Sequence, residues 1–360
     1  MTKKIVILSE PLEALDRNKK HESVSGDAVV FAVAAKRLER VIAEVADSDK
    51  EVDIAILTAL GNDTRGETIL EDLRKNGIDR QYIGIIPDKK TGAYQFTGET
   101  RDKMTLEYVD RNDSAYRYLF TDKGKETVDS FLAHVDKDTT LVVTGIAVAR
   151  ALDNAAVERL LKTMREAKKR GAKVVVDPET RARVWENNSE RAKQVLTKVF
   201  KEADMVFFSH PEDNLMLGQQ LFGWNTPKNV AQGLRGLGVK NIVVRKGEDG
   251  VDVYTERGAA VHIPVNPHYN IPKEEVADTA GAGLTFMAGM LLGEMHGMSP
   301  LEAAKVAQRA ATQVVRHEGM ILRDDHIPPV NQLRDDRIHA PHTEILTLRA
   351  PLPASQEVTR

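Results

Sequence analysis

A regular alternation of short apolar runs and helix-like segments is the feature that most constrains the fold of this chain. Runs that predict strands lie at residues 4–8, 52–57, 140–144, 173–176, 205–208 and 241–245, with a hairpin-like pair at 251–254 and 260–263. Helical periodicity is found at residues 27–45, 64–76, 154–170, 190–202, 229–237, 283–296 and 300–318. Strand–helix repeats of this length favour right-handed crossovers and a mainly parallel sheet. The sequence therefore predicts an α/β fold.

Three segments depart from this alternation. Residues 82–109 contain β-forming runs separated by polar turns, which predicts a small antiparallel sheet with one solvated face. Residues 11–26 are polar and irregular. After about Pro328 the chain is rich in Pro, Arg and His, so residues 331–360 are expected to form a peripheral or partly disordered tail.

Composition excludes several classes of function. The 360 residues include 51 Lys and Arg and 54 Asp and Glu, a net charge of −3, which does not indicate a nucleic-acid binder. The absence of cysteine excludes disulfides, thiolate metal sites and thiol catalysis. The N-terminal apolar run is too short for a signal peptide, and no run has the length of a membrane span. We therefore expect a soluble cytoplasmic protein.

The stretch Asp278–Gly289 contains the clearest candidate for a ligand site. Residues Ala280–Gly283 are small, so the backbone can approach a ligand closely. If a helix starts near Gly281, its first N–H groups lack partners inside the helix and favour an anion. The pattern predicts a phosphate cradle, and a glycine-rich helix start that only packs tightly is the alternative. Neither a Walker loop nor a complete Gly-x-Gly-x-x-Gly motif is present, because Phe286 occupies the third glycine position.

The same stretch resembles the C-terminal signature of the ribokinase/PfkB carbohydrate kinases, Asp-Thr-x-Gly-Ala-Gly-Asp-x-Phe-x-Ala-Gly, except that Leu284 replaces the last Asp. Gly61–Gly66 is similar to the family's Gly-x-Asp-x-x-Gly segment, and Arg111–Ala115 to its Arg-x-x-Ser-Ala. Asp177–Trp185 is similar to Asp-x-Asn-x-Arg-Pro-x-Leu-Trp, a form that looks most like the 2-keto-3-deoxygluconate kinase branch. The resemblance covers roughly residues 3–325.

The resemblance implies a ribokinase-like three-layer α/β sandwich over residues 1–328. A small β-sheet lid is expected from strands at about 82–109 and part of 11–26. Residues 329–360 would follow as a tail. Because family members often pair through such lids, a homodimer through the lid is expected by analogy.

The resemblance also implies a site for a sugar acid. It assigns substrate contacts to Gly26, Asp27, Val30, Arg111, Asp177 and Arg181. Val30 stands in place of an Asn amide that would bind a hydroxyl, and Asp27 is alternatively a helix N-cap. Arg111 would bind the sugar carboxylate from the lid, unless it is an exposed loop residue. Glu179 replaces an Asn and adds negative charge near the expected phosphates.

ATP and Mg²⁺ are implied as well. The resemblance assigns nucleotide contacts to Ser209, Glu212, Arg245, Lys246, Gly247, Gly250, Asp278 and Gly319, with His317 nearby. Ser209 replaces the family's Asn. Glu212 would help place the hydration shell of Mg²⁺, or is a solvated residue at a helix start. Arg245 or Lys246 would contact phosphate, or carries an ordinary turn charge.

The replacement at Leu284 bears on the implied mechanism. In the family, the Asp at this position takes the proton of the sugar hydroxyl that attacks the γ-phosphate, and the amides of Gly281, Ala282 and Gly283 form the anion hole. Leucine cannot accept a proton, and general-base catalysis is typically worth about 10²–10⁴-fold. We expect an ATP-dependent keto-deoxy sugar-acid kinase homologue with impaired or lost phosphotransfer. The alternatives are a non-catalytic pseudokinase that serves as a binding or scaffold protein, and an engineered sequence on this fold.

Overall fold

The computed structural model describes residues 2–16, 20–97, 105–178, 185, 188–211, 213, 222–224, 226–258, 260–267, 271–338 and 343–346. Within these residues the strands are β1 (Lys3–Leu8), β2 (Leu12–Leu15), β3 (His21–Ser25), β4 (Val52–Gly61), β5 (Ile83–Ile86), β6 (Ala93–Thr97), β7 (Thr105–Val109), β8 (Thr139–Thr144), β9 (Lys173–Asp177), β10 (Met205–Ser209), β11 (Asn241–Arg245), β12 (Val251–Tyr254), β13 (Ala260–Ile263) and β14 (Glu344–Ile345). The α-helices are α1 (Asp27–Val45), α2 (Thr64–Lys75), α3 (Lys125–Ala133), α4 (Gly145–Ala149), α5 (Asn154–Lys169), α6 (Ser189–Glu202), α7 (Pro227–Gly236), α8 (Ala282–Met295), α9 (Pro300–Val314) and α10 (Val330–Ile338).

Ten of the described strands form one large sheet in the spatial order β14-β13-β12-β11-β10-β9-β8-β1-β4-β5. The strands from β11 to β5 in this order are parallel to their neighbours, whereas β12, β13 and β14 are antiparallel additions at one edge. All carboxyl ends of the parallel strands therefore lie at one edge of the sheet, where open α/β sheets bind ligands.

Both faces of this sheet are buried. Ile5 and Ile7 of β1 belong to one hydrophobic cluster, and Val6 and Leu8 belong to the other. This alternation is expected for a strand covered on both sides. Helices α1, α2, α8, α9 and α10 contribute to the first cluster, and α3 to α7 contribute to the second. The predicted three-layer sandwich with a mainly parallel sheet is confirmed.

The lid is a four-stranded sheet in the order β3-β2-β6-β7. The pairs β2–β3 and β6–β7 are antiparallel, but β2 and β6 are parallel. The prediction that the lid begins at residue 82 is wrong, because β5 pairs with β4 in the large sheet. β4 continues to Gly61, beyond its predicted end at residue 57, and its last four residues supply the partner for β5. Residues 11–26, which look irregular in sequence, supply β2 and β3.

Helix α10 occupies the start of the segment 329–360, for which the sequence predicts only a tail. Arg334 and Arg337 each donate a hydrogen bond of 2.8 Å, to the carbonyl oxygens of Glu44 and Val45 respectively. These carbonyl oxygens belong to the last turn of α1, where no later N–H group of the helix can bond to them. The helix dipole also favours cations at this end. The beginning of the tail is therefore part of the packed fold.

The other helices and strands that the sequence predicts begin and end close to their predicted residues. α1 and β11 have the predicted limits, whereas α9 ends four residues before the predicted Glu318. Among the described helices, none combines the length and the apolar character needed to cross a membrane.

Candidate active site

The glycine-rich stretch forms the start of α8, as predicted. Gly281 precedes the first helical residue with a φ of +83°, a conformation that favours glycine. A Cβ atom at this position would overlap the carbonyl oxygen of Met320. The N–H of Ala282 donates to the carbonyl oxygen of Thr279 at 3.4 Å, and the N–H groups that follow it in the first turn of α8 have no carbonyl partner within the helix. A tightly packed helix N-terminus, which favours an anion, is therefore present at this point of the fold.

Asp278 stabilises the turn that leads into α8. Its Oδ1 accepts a hydrogen bond of 3.0 Å from the backbone N–H of Ala280. One residue earlier, the N–H of Ala277 donates to the carbonyl oxygen of Val315 at 2.8 Å. The turn is thus fixed both internally and to the end of α9.

Leu284 lies in the first turn of α8, directly after the small residues. Only 3% of its surface is exposed, and it belongs to the same hydrophobic cluster as Val30 of α1. An apolar, buried side chain therefore stands where the family resemblance expects a proton acceptor.

Arg245, the last residue of β11, connects α8 to the sheet. Its Nη1 lies 2.9 Å from Oδ2 of Asp177 and donates a hydrogen bond of 2.9 Å to the carbonyl oxygen of Gly283. The Asp177 side chain is completely buried at the end of β9. A Cβ atom on Gly283 would lie 2.9 Å from the same Nη1, so glycine permits this approach. The guanidinium brings positive charge beside the α8 N-terminus.

Ser209 ends β10, between the strands that carry Asp177 and Arg245. It is in register with Arg245, and its N–H donates to Oδ2 of Asp213 at 2.7 Å. The carboxyl ends of β9, β10 and β11 thus bring three predicted site residues to one edge of the sheet.

Lys246 and Arg245 are directed to different parts of the fold. Lys246 Nζ lies 3.1 Å from Oδ1 of Asp252, which is also 2.6 Å from Nδ1 of His262. The charge of Lys246 is therefore paired on β12 and β13. Gly247 and Gly250 form the intervening turn with φ values of +57° and +93°.

The start of α1 lies close to the start of α8. Ser25 Oγ is 3.6 Å from Sδ of Met320, whose carbonyl oxygen packs against Gly281. Gly26 precedes α1 with a φ of +88°, and Asp27 is the first helical residue and is buried. The alternative that Asp27 is the helix N-cap is wrong, because Gly26 occupies that position without a side-chain hydrogen bond.

The sequence matches the model of the pfkB family carbohydrate kinases over residues 13–326, which include both helix starts and the three strand ends. The chain belongs to the pfkB family of carbohydrate kinases. It is similar to the 2-dehydro-3-deoxygluconokinase of Dickeya dadantii (strain 3937), with 27% identity over 329 residues that cover 91% of this chain and 99% of the relative. The enzyme of the same name from Escherichia coli (strain K12) is 28% identical over 284 residues, covering 78% of this chain and 87% of the relative.

Solved structures of pfkB-like kinases show the same fold. A fructokinase with bound ATP from Xylella fastidiosa matches with a TM-score of 0.73 and 18% identity, covering 93% of this chain and 98% of that chain. The aminoimidazole riboside kinase from Salmonella enterica, complexed with aminoimidazole riboside and an ATP analogue, matches with a TM-score of 0.69 and 19% identity, covering 92% and 99%. The ribokinase-like fold predicted from the sequence is confirmed.

The pfkB segment Gly61–Gly66 joins the large sheet to the lid. Asp63 caps α2 by accepting from the N–H of Gly66, and its other carboxylate oxygen accepts from the N–H of Thr91, both at 2.9 Å. Although burial alone raises the pKa of Asp63, these hydrogen bonds from Thr91 and Gly66 lower it below the ordinary value. The charged carboxylate of Asp63 thus holds Thr91, just before β6, close to the start of α2.

Arg111 follows β7, the last lid strand, and its guanidinium lies 5.6 Å from the centroid of the Tyr108 ring. Glu10 and Arg150, which are not predicted as site residues, hold the segment that contains Arg111. Each is a charged residue that stands out against apolar neighbours in the sequence. Glu10 is the first charged residue after the apolar β1, and Arg150 is the lone charge in the apolar run 145–152.

Some of the pfkB-derived assignments fall outside the described residues, namely Glu179, Arg181 and Glu212. Among the residues that are described, no group of three His, Asp or Glu side chains is arranged to hold a metal ion. The indirect role of Glu212 toward Mg²⁺ stays a prediction.

The loop after α9 borders the candidate site through Met320. Gly319 has a φ of +96° with open space around it, and His317 Nδ1 lies 3.0 Å from the carbonyl oxygen of Glu318. The predicted contact of Gly319 with a nucleotide stays a prediction.

Proposed function

We propose that this pfkB protein binds ATP with Mg²⁺ and a keto-deoxy sugar acid, and that it transfers phosphate weakly or not at all. The observation that carries the proposal is the start of α8, where Arg245 contacts the first turn and the buried Leu284 stands at the position where the family resemblance expects a proton acceptor. The helix start and the guanidinium support phosphate binding. The buried leucine removes the base.

The chemistry of the residues at the α8 start suits a phosphoryl group. Backbone N–H groups at a helix N-terminus offer donors, and the helix dipole favours negative charge there. The Arg245 guanidinium donates a hydrogen bond to the first helical turn and so brings a cation to this helix start, where Asp177 at 2.9 Å offsets part of its charge. Mg²⁺ bound to ATP would neutralise further charge on the phosphate oxygens.

Loss of the proton acceptor limits the chemical step. When the substrate oxygen bonds to the γ-phosphorus and the bond to ADP breaks, the hydroxyl proton must pass to a base. Leu284 has no atom that can take it. Asp177 is the carboxylate that contacts Arg245, and the ion pair at 2.9 Å already engages its charge. We therefore expect turnover reduced by about 10²–10⁴-fold relative to an enzyme with a positioned base.

A sugar acid is the favoured acceptor. The two relatives described above are named as 2-dehydro-3-deoxygluconokinases. Arg111 at the end of the lid provides a guanidinium, which binds carboxylates well. Val30, fully buried in α1, offers no hydrogen bond to a hydroxyl, so we expect weaker discrimination between hydroxyl patterns than an amide would give.

The decisive experiment compares the wild type with Leu284→Asp and Leu284→Asn. Calorimetry would measure binding of ATP·Mg²⁺, and ADP release would measure turnover of 2-dehydro-3-deoxygluconate. We expect all three proteins to bind ATP and only the Asp variant to gain turnover, by about 10²-fold or more. Asparagine has nearly the same shape as aspartate but cannot take the proton, so it is the matched control.

Other outcomes would redirect the assignment. Rapid turnover by the wild type would contradict the proposed loss of phosphotransfer. Failure of all three proteins to bind ATP would favour the non-catalytic scaffold. The homodimer through the lid is a separate proposal, which sedimentation of the wild type would test.

A further inference from the structure

Glu10 lies at a junction between the large sheet and the lid. It follows β1, a parallel strand inside the large sheet, and its side chain is only 1% exposed. Its Oε2 lies 2.8 Å from Nε of Arg150, and its Oε1 accepts a hydrogen bond from Oγ of Ser114. Arg150 follows α4, and Ser114 follows the last lid strand. One buried carboxylate therefore connects segments that are more than 100 residues apart in sequence.

Arg150 extends this connection to Arg111. Its side chain is 2% exposed, and its Nη2 donates a hydrogen bond of 2.9 Å to the carbonyl oxygen of Arg111. The guanidinium of Arg150 also lies 5.1 Å from the centroid of the Tyr108 ring, against 5.6 Å for that of Arg111. Two cations that share one ring repel each other, and the negative charge of Glu10 offsets this repulsion.

The backbone of Glu10 also contacts the start of α1. A Cβ atom on Gly26 would lie 2.8 Å from the carbonyl oxygen of Glu10. A Cβ atom on Gly92, just before β6, would lie 2.5 Å from Oε1 of Glu10. Glycines at both positions let the helix start and the lid approach Glu10 from two sides.

We propose that the buried Glu10–Arg150 pair is a positioning pair that sets the separation between Arg111 and the Gly26–Asp27 turn. This inference rests on the proposed function, in which Arg111 binds the carboxylate of the sugar acid, and on the substrate contacts that the family resemblance implies for Gly26 and Asp27. A sugar acid has its carboxylate and hydroxyls a fixed number of bonds apart, so a shift of one anchor costs affinity. The pair touches neither ligand and acts through Arg111.

The test requires variants that fold. Removing one partner of a buried ion pair leaves an uncompensated charge, whereas replacing both is often tolerated. The double variant Glu10→Gln/Arg150→Met removes both charges and the hydrogen bond to Arg111. Arg150→Lys keeps the charge but lacks the fork that reaches Glu10 and the Arg111 carbonyl together, so it is the conservative control.

Two measurements decide the proposal. Hydrogen exchange would follow the backbone amides of residues 107–116, with those of α8 as an internal reference. Calorimetry would measure binding of 2-dehydro-3-deoxygluconate, of its 1-hydroxyl analogue without the carboxylate, and of ATP·Mg²⁺. In the double variant we expect faster exchange at 107–116 and about tenfold weaker binding of the acid, with binding of the neutral analogue and ATP unchanged. Arg150→Lys should give a smaller loss with the same selectivity.

A double-mutant cycle with Arg111→Met separates positioning from general destabilisation. If the pair acts through Arg111, its replacement in an Arg111→Met background should cause little further loss of acid binding. Additive losses, or equal losses for the acid, the neutral analogue and ATP, would overturn the proposal. Unchanged exchange at 107–116 would overturn it as well. If the wild type does not bind 2-dehydro-3-deoxygluconate, the proposed substrate is wrong, and so is the proposal that the pair sets the separation of its two binding sites. The hydrogen-exchange result then shows only whether the Glu10–Arg150 pair anchors residues 107–116.

Discussion

Arg245 and Asp177 form an ion pair of 2.9 Å at the carboxyl edge of the large sheet, and the same nitrogen of Arg245 donates to the first turn of α8. Two strand ends and one helix start are therefore held by a single guanidinium. The Asp177 side chain is completely buried, and a nearby cation offsets part of the cost of burying its charge.

Replacing Arg245 by Met should lower the free energy of unfolding by about 3 kcal/mol, because it removes a cation that lies 2.9 Å from a buried carboxylate. Urea denaturation followed by circular dichroism would measure the change. Arg245→Lys retains the charge and should lose less. Equal stability of the Met variant and the wild type would contradict this account of the pair.

Gly281→Ala should be more damaging than Gly297→Ala. Both glycines have positive φ, +83° and +93°, but only at Gly281 would the new Cβ overlap a neighbouring carbonyl oxygen, that of Met320. The left-handed conformation alone costs about 1–2 kcal/mol, which is the loss expected for Gly297→Ala. Gly281→Ala should exceed this and should also weaken ATP binding. Urea midpoints and calorimetry would measure both, and equal effects of the two variants would show that the cradle is not tightly packed.

Leu333→Ala should lower the free energy of unfolding by about 2–4 kcal/mol, as expected for a large-to-small change in a core. Leu333 is completely buried, although it lies in the segment that the sequence assigns to a tail. Ile338 on the same helix is 68% exposed, so Ile338→Ala is a matched control that should change stability little. Similar small losses in both variants would mean that α10 does not pack on the core in solution.

Stability should fall as the pH drops below about 6.5, the usual pKa of histidine in an unfolded chain. Burial, followed by the positive charges of Lys3 and Lys50, lowers the pKa of His296 in the folded protein. The unfolded chain therefore binds a proton that the folded protein resists, and this contribution to stability is present above the unfolded pKa and lost below it. Urea titrations between pH 8 and 5 should give a steeper loss for the wild type than for His296→Gln. If the free energy of unfolding of the two proteins falls equally with pH, the loss of stability does not come from His296.

Local patterns predict the fold well where the structure depends on local periodicity. The limits of α1 and β11 follow from apolar spacing, and Gly281 follows from the small residues before an apolar helix. The run Ile83–Ile86 is different, because its sequence suits either sheet and the extension of β4 decides its partner. Pairing over long separations of this kind has no local signal.

In the candidate site, too, contacts between residues far apart in the chain cannot be predicted from local sequence patterns. The sequence places Asp177 and Arg245 at strand ends but does not reveal that they contact each other. The family resemblance implies a phosphate contact for Arg245 or Lys246, and only the fold shows that Lys246 lies beside Asp252 through the register of a hairpin. Glu10 and Arg150 are 140 residues apart, so only the tertiary structure shows that they form one buried unit.

A single residue, Gly26, separates strand β3 of the lid from helix α1. A movement of this strand would therefore also displace the first turn of the helix. The joint therefore couples the lid to the helix that carries Asp27, so that a rearrangement of one is felt by the other.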